Sequence, residues 1–401
     1  MHHLDIYKAM IIALAGCASA SANDLSDALA GGTIWQKDRD AVCSTDFVGL
    51  RYAPIDDHSV RLLPHLSVTP GKTQKKEKSS LTIGKLALGE TIVRWDQSML
   101  TTNMEAMVYN KGDNGEITMA QYKDLLILAI TELNKLTHTE DYPDEFQGMS
   151  DEDHVALKGV RYWCWEWENG ILLLEASASE QAPGQYRPEF IRLKMGSNAQ
   201  AIATGGADNI AEKSRLKNNV MKDRATGDTW IAGVPMVDQG EKGYCVPATV
   251  ARVFAYYGMD AVDQHAMAQL CDSDPDNGTY THLMYHSLCT IADKFHFVVA
   301  DLAPCGNSST NNDWLPEIRR YIDAGIPLIW GVQLGIVPEA GIPPAKKEAG
   351  HMRLIIGYNN KTKVIYYTDS WGAGHELKSM GVRDARKISR ELYVITPLKN
   401  K

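Results

Sequence analysis

One stretch decides how the C-terminal half of the chain folds: VDQGEKGYCVPATVARVFAYYG, residues 237–258. Its first third is polar and rich in glycine, and from Cys245 onwards it becomes apolar at helical spacing. The pattern predicts an amphipathic helix over residues 245–257 that ends at Gly258. Pro247 is compatible with this helix, because the N–H groups of a first turn have no helical partner in any case. The predicted apolar face consists of Val246, Val250, Val253, Phe254 and Tyr257.

Cys245 would lie at the N-terminus of this helix, where the positive end of the helix dipole favours a thiolate over a thiol. The glycines before it let the chain turn tightly and leave backbone N–H groups open to an incoming oxyanion. A free cysteine taken alone is more often a buried apolar side chain. A nucleophilic thiol also needs a base, and the base needs a group that orients it.

The last quarter of the sequence supplies both of these groups. His351 begins the apolar strand HMRLIIGYN, and Asp369 closes the next strand, in KVIYYTDSW. If the two strands are antiparallel neighbours, their ends bring the imidazole and the carboxylate side by side. The sequence therefore predicts that Cys245, His351 and Asp369 form one site.

As a set, these motifs resemble the papain-like cysteine peptidase superfamily, and within it the bacterial branch of bacteriocin-leader-processing peptidases. The resemblance covers roughly residues 230–397. It rests on Gln239 six positions before Cys245, a Cys-x-Pro helix start, a Tyr-Tyr-Gly helix end, a Gly-His strand and the aspartate. It implies a fold with a helical lobe followed by an antiparallel sheet lobe.

The resemblance also implies a role for each residue. Cys245 is the expected nucleophile, His351 the base and then the acid, and Asp369 the orienting group. The Gln239 side chain and the backbone N–H of Cys245 are expected to stabilise the oxyanion. Trp371 would resemble the tryptophan that shields the contact between the histidine and the acid. No metal and no organic cofactor are implied.

The resemblance leaves the reaction and the substrate open. Acyltransferases and transglutaminases share the fold and the triad, with an amine in place of water. The position after the cysteine is Val246, where glycine is common in the bacterial branch, and Asp369 stands where papain relatives have asparagine. The N-terminal half does not resemble the exporter to which leader peptidases are fused, so their substrate is not implied. An alternative of another class is a catalytically inactive binding module at the cell surface.

The N-terminal half is predicted to form one antiparallel sheet with at least one covering helix. The helix is expected in TMAQYKDLLILAITELNKL, residues 118–136. The stretch VRYWCWEWENGILLLEAS predicts a hairpin with a type I′ turn at Asn169-Gly170. The residues 110–121, NKGDNGEITMAQ, mimic a calcium loop but lack its bidentate glutamate, and so predict a turn into the helix. The predicted hairpin pairs are Trp167 with Leu172, Trp165 with Leu174 and Trp163 with Ala176.

Composition limits the class of protein. Of 401 residues, 44% are hydrophobic and 23% are charged, which indicates a globular chain with a core. The formal net charge of -9 argues against binding to nucleic acid or to anionic membranes. No apolar run is long enough for a transmembrane helix, and the absence of a Cys-x-x-Cys pair argues against a structural zinc site.

The N-terminus reads as a secretory signal, because Lys8 precedes a short apolar run and then small residues. Cleavage before Asn23 would remove residues 1–22. A lipobox-like Leu-Ala-Gly-Cys segment would instead remove residues 1–16 and leave Cys17 as a lipidated N-terminus. We therefore expect an exported protein in the periplasm, the cell envelope or the medium, with a lipid anchor as one alternative.

The sequence thus predicts an α+β protein in three parts. The signal is followed by an N-terminal α+β domain at residues 23–222, which could anchor the enzyme, inhibit it as a pro-segment or select substrate. A papain-like domain occupies residues 223–401, and its expected partner is a peptide or protein substrate. The oligomeric state is not predicted. An exported protein permits disulfides, with unassigned pairing, among Cys43, Cys164, Cys271, Cys289 and Cys305.

Overall fold

The computed structural model describes residues 23–43, 51–63, 81–139, 160–202, 213–259, 262–274, 277–295, 297–302, 314–339 and 349–398. The predicted signal, which includes Cys17, lies outside these ranges, and so does Cys305. Two hydrophobic cores are present. One is formed by residues within the range from Leu25 to Met195, and the other by residues within the range from Leu216 to Ile395. We call the parts around them the N-terminal unit, residues 23–202, and the C-terminal unit, residues 213–398. In the described part of the chain, no helix has the length and apolar character needed to cross a membrane.

The N-terminal unit contains two sheets. The larger has seven antiparallel strands and includes both strands of the predicted tryptophan hairpin. In spatial order these are β2 (Arg51–Asp56), β3 (Ser59–Leu63), β6 (Thr91–Trp95), β7 (Thr101–Asn110), β10 (Gln185–Gly196), β9 (Gly170–Ala182) and β8 (Val160–Trp167). The smaller sheet comprises β1 (Asn23–Asp24), β4 (Leu81–Ile83) and β5 (Leu86–Leu88). The prediction of a single sheet is therefore wrong, because β1 pairs in parallel with β4 and draws the β4–β5 hairpin into a sheet of its own.

The covering helix is α4 (Met119–Thr137), as predicted. It begins with a capping box, in which Thr118 accepts from the Gln121 N–H and Gln121 accepts from the Thr118 N–H. Its apolar face packs on the larger sheet, and each fully buried aliphatic side chain there contributes about 1.5–3 kcal/mol. The short helices of this unit are α1 (Ser26–Ala30), α2 (Arg39–Val42), α3 (Lys111–Asn114) and α5 (Ala199–Ile202).

The tryptophan hairpin forms, but its register differs from the prediction by two residues. Trp167 pairs with Gly170, so that Glu168 and Asn169 make the turn. Asn169 is held in the turn because its side-chain amide donates to the Ala30 carbonyl, at 2.8 Å. A shift of two residues keeps every side chain on its face of the sheet, so the first two tryptophans still point into the core. The observed pairs are Trp165 with Leu172 and Trp163 with Leu174.

The C-terminal unit combines a group of helices with an antiparallel sheet, as expected, but two strands precede its main helices and two helices lie among the later strands. The helices are α6 (Lys213–Leu216), α7 (Cys245–Tyr256), α8 (Gln264–Leu270), α9 (Thr281–Phe295), α10 (Trp314–Ile322) and α11 (Val382–Ile388). The main path of the sheet runs through β11 (Val220–Lys222), β12 (Asp228–Ile231), β15 (Ala349–Asn359), β14 (Leu328–Leu334), β18 (Ser389–Pro397) and β13 (Phe297–Asp301). Strand β16 (Val364–Thr368) pairs with β15, and β17 (Lys378–Gly381) pairs with β16.

Helix α7 matches the predicted helix almost to the residue, and Gly258 follows it with a φ of +86°. It is less amphipathic than its sequence predicts. The side opposite the predicted apolar face is buried as well, including Thr249 and Arg252. The reason is its central position: it packs on β15 and on α8. A helix surrounded in this way holds its first residue in a fixed place.

Candidate active site

Cys245 is the first residue of α7 and is partly exposed, with Tyr244 as the N-cap. Burial raises the pKa of the Cys245 thiol. The hydrogen bond and charge of His351, together with the backbone N–H groups of Met352 and Val246, outweigh that effect and bring this pKa below its ordinary value. The thiol is therefore held among groups that stabilise its anion.

His351 reaches this thiol from β15. Strand β16 runs antiparallel beside β15, and Asp369 follows β16 directly. The imidazole donates from Nε2 to Asp369 Oδ1 at 3.0 Å, which leaves Nδ1 for the thiol. Burial lowers the pKa of His351, but its hydrogen bonds to Asp369 and Cys245 raise that pKa above the ordinary value. A low thiol pKa and a high imidazole pKa together favour a thiolate–imidazolium pair.

Asp369 is completely buried and surrounded by cations. Arg353 Nε donates to Oδ1 at 2.7 Å, and Lys378 Nζ donates to Oδ2 at 2.8 Å. Burial alone would raise the pKa of Asp369, but His351, Arg353 and Lys378 lower it far below its ordinary value. The carboxylate is therefore ionised and can stabilise an imidazolium beside it.

Two buried arginines at this site were missed by the sequence analysis. Arg353 interrupts the apolar run of β15, and Arg252 interrupts that of α7. Arg252 donates to the Asp369 carbonyl at 2.9 Å and to Thr368 Oγ1 at 2.7 Å. A charged residue inside an otherwise buried element is the signal that could have revealed both, because buried charges require partners.

Trp371 covers the imidazole. Its ring stacks on His351 with the centroids 4.4 Å apart and the planes 21° from parallel. Lys378 Nζ lies 4.9 Å from the centre of the same indole, and His375 meets it edge-on at 5.3 Å. The indole therefore lies where the resemblance places it, against the histidine that contacts the acid.

Gln239 is buried close to the same group of residues. Its backbone N–H donates to the Ser370 carbonyl at 2.9 Å, which joins the segment before Cys245 to the turn after Asp369. Its side-chain Nε2 donates to the Lys242 carbonyl at 3.3 Å. The second Nε2 hydrogen remains for another acceptor. We call residues 239–244 the oxyanion loop, after the role that the resemblance implies.

The structure thus brings all four predicted site residues into one connected group, while their catalytic roles stay a prediction. Among the described residues, no cluster of three histidine, cysteine or acidic side chains could hold a metal ion. The five described cysteines form no disulfide with one another. The free thiols are Cys43, Cys164, Cys245, Cys271 and Cys289.

Comparison with known proteins finds two similarities. Residues 231–390 match the model described as the Peptidase_C39 like family. A solved structure, that of xylellain, a cysteine protease from Xylella fastidiosa, is similar over 47% of this chain and 91% of its own, with 12% sequence identity and a TM-score of 0.31. No curated protein matches the sequence.

Proposed function

We propose that this chain hydrolyses peptide bonds through Cys245, His351 and Asp369, and the match of residues 231–390 to the model of the Peptidase_C39 like family supports this proposal. One observation carries the proposal: an unbroken row of hydrogen bonds from the thiol through the imidazole to a buried carboxylate. The lowered pKa of Cys245 and the raised pKa of His351 both favour a proton on the imidazole before substrate arrives. The thiol is then ready to attack without a separate deprotonation step.

The reaction follows from the positions of these groups. The Cys245 thiolate attacks the carbonyl carbon of the scissile bond, and the charge moves to the carbonyl oxygen. The remaining Nε2 hydrogen of Gln239 and the Cys245 backbone N–H stabilise that oxyanion. His351 gives its proton to the departing amine, which leaves a thioester on Cys245. His351 then takes a proton from water, the resulting hydroxide attacks the thioester, and the acid product and thiol are released.

The direct test is a Cys245→Ala variant of the full chain on a proteome-derived peptide library. We expect cleavage to fall at least about a thousandfold, because the nucleophile is removed while the fold is kept. Water enriched in ¹⁸O should label the new carboxyl group of each wild-type product. Cleavage by Cys245→Ala at the wild-type rate would overturn the proposal. Products that carry an added amine in place of the label would replace hydrolysis by acyl transfer.

We also propose that the protein is exported. The proposal rests on the charged, apolar and small-residue segments within residues 1–22. Mass spectrometry of the mature protein from its native cell should find an N-terminus at Asn23 or a lipidated Cys17. An intact Met1 in the mature protein would contradict export through this segment.

A further inference from the structure

The oxyanion loop is held from outside its own unit. Lys242, in the middle of the loop, has a side chain that is only 1% exposed. Its ammonium group donates to Glu90 at 2.9 Å and to Asp113 at 3.1 Å, and both carboxylates belong to the N-terminal unit. Burial acts to lower the pKa of Lys242, but Glu90 and Asp113 raise that pKa above its ordinary value. Lys242 is thus a buried cation whose partners both come from the other unit.

The residue before Gln239 is held in the same way. Arg61, on β3, donates from Nε to Asp238 Oδ2 at 3.0 Å, and its Nη1 lies 3.3 Å from Glu90. Gly240 has a φ of +73°, and a Cβ there would lie 2.8 Å from Arg61 Nη1 and 2.9 Å from Glu90. The positive φ favours glycine at this position, where the loop passes beside the charged groups of the N-terminal unit.

The residue before Cys245 is held as well. The Tyr244 hydroxyl donates to Asn110 Oδ1 at 3.0 Å, and Asn110 Nδ2 donates to His265 Nδ1 at 3.2 Å. On the N-terminal side, a Cβ on Gly112 would lie 2.6 Å from the Tyr244 ring. The backbone of Gly112 in one unit therefore packs directly against the Tyr244 side chain of the other, with no space for a Cβ atom.

These contacts lie beside both groups that the proposed function assigns to the oxyanion. Asp238 precedes Gln239, and Tyr244 precedes Cys245. The Lys242 carbonyl accepts the hydrogen bond that orients the Gln239 amide. By contrast, the groups that lower the thiol pKa, His351 and the N–H groups of Met352 and Val246, all belong to the C-terminal unit.

We propose that the N-terminal unit is a permanent positioning element of the active site, which fixes the oxyanion loop and stays docked during turnover. Arg61, Glu90, Asn110 and Asp113 are its positioning residues, and they act through the loop. Removal of the unit would take Glu90 and Asp113 away from Lys242 and Arg61 away from Asp238, so the loop would lose the contacts that fix it. We therefore expect the unit to be retained in the active enzyme and not to be discarded as a pro-segment on activation. This inference rests on the proposed function, because it concerns the same oxyanion.

The test is a Lys242→Met variant of the full chain, with Gln239→Ala as reference. Methionine keeps the packing of the stem and removes the charge. We expect kcat to fall about tenfold to a hundredfold, less than the loss on removing a donor outright. Alkylation of Cys245 by iodoacetamide at pH 6 should stay within about twofold of wild type, because the partners of the thiol are intact. Combining Lys242→Met with Gln239→Ala should cost little beyond Gln239→Ala alone, because both act through one amide.

The matched control is Asp272→Asn, which weakens the ion pair of Arg187 and Asp272, 2.6 Å long, between the same two units but away from the loop. Its kcat should equal that of wild type. If Lys242→Met does not fold, Tyr244→Phe tests the same point by removing one hydrogen bond to Asn110, with a several-fold fall in kcat.

Three results would overturn the positioning role: a kcat for Lys242→Met equal to that of the control, losses that add fully to those of Gln239→Ala, or alkylation that falls in step with kcat. A Cys245→Ala arm separates the two proposals. If that variant is active, the proposed function fails. If it is inactive and Lys242→Met matches the control, only the positioning role fails.

Discussion

The acid side and the oxyanion side of this site are both buried clusters of charge, but they are built from different parts of the chain. On the acid side, Asp369 is paired with Arg353 and Lys378, all within the C-terminal unit. On the oxyanion side, Lys242 is paired with Glu90 and Asp113 from the N-terminal unit. The carboxylate of the acid side thus has its cations within its own unit, whereas the cation of the oxyanion side has its carboxylates in the other unit.

Each side of the site contains one buried histidine, and the surroundings shift the pKa of the two histidines in opposite directions. Burial lowers the pKa of both. On the acid side, Asp369 and Cys245 reverse the effect and raise the pKa of His351. On the oxyanion side, the cations Lys242 and Arg192 offset the influence of Asp263, and the pKa of His265 falls to about 4. His351 is therefore favoured as an imidazolium beside the thiol, whereas His265 is held neutral near pH 7.

The largest effect is expected from His351→Ala, which breaks the acid side at its centre. Hydrolysis should fall at least about a thousandfold, because the variant lacks the group that stabilises the thiolate and protonates the leaving amine. Alkylation of Cys245 at pH 6 should fall as well. Steady-state kinetics and alkylation rates on the same preparation check both. Full alkylation without His351 would show that the helix N-terminus alone activates the thiol.

A smaller effect, confined to one readout, is expected from Gln239→Ala. Hydrolysis should fall about a hundredfold to a thousandfold, the usual loss on removing one oxyanion donor. Alkylation should stay at the wild-type rate, since attack on iodoacetamide forms no oxyanion. Together, His351→Ala and Gln239→Ala separate the effect of the charge on the thiol from the effect of the geometry around the oxyanion. Equal losses in both readouts for Gln239→Ala would mean that the two sides are not independent.

The smallest effect concerns stability and comes from His265. The pKa of this histidine is lower in the folded protein, about 4, than its ordinary value of 6.5. As pH falls below 6.5, the unfolded chain takes up a proton that the folded chain does not, so the free energy of unfolding decreases until pH reaches about 4. Urea unfolding at pH 7, 5.5 and 4.5 should show a shallower pH dependence for His265→Asn than for wild type. Parallel curves would contradict a neutral, buried His265.

Local patterns in the sequence predicted the acid side well. The helix at Cys245, the strand that begins near His351 and the strand that ends before Asp369 follow from periodicity and end signals over short segments. The cations around Asp369 were not predicted, because nothing local indicates which carboxylate a buried arginine meets. In the N-terminal unit, pattern predicted the faces of the strands but not their register, which Asn169 determines through a contact 139 residues away.

On the oxyanion side, the sequence predicted the loop before Cys245 but not the residues that hold the loop in place. Its anchors lie far away in sequence: Arg61 is 177 residues from Asp238, and Glu90 is 152 residues from Lys242. The sequence 110–121 was correctly interpreted as a turn into a helix. Its polar residues were attributed to that turn alone, yet Asn110 also accepts from Tyr244. Long-range pairing of this kind leaves no periodic trace in a single sequence.

We expect Cys245 to be held as a thiolate before substrate binds. The rate at which iodoacetamide alkylates Cys245 between pH 5 and pH 9 measures this property of the thiol. With Cys245→Ala subtracted as the blank for the other thiols, the rate at pH 6 should exceed that of free cysteine more than about tenfold, because an ordinary thiol has a pKa near 8.5. The rate should level off well below pH 8.5. A Cys245 that reacts at pH 6 no faster than free cysteine would contradict the account.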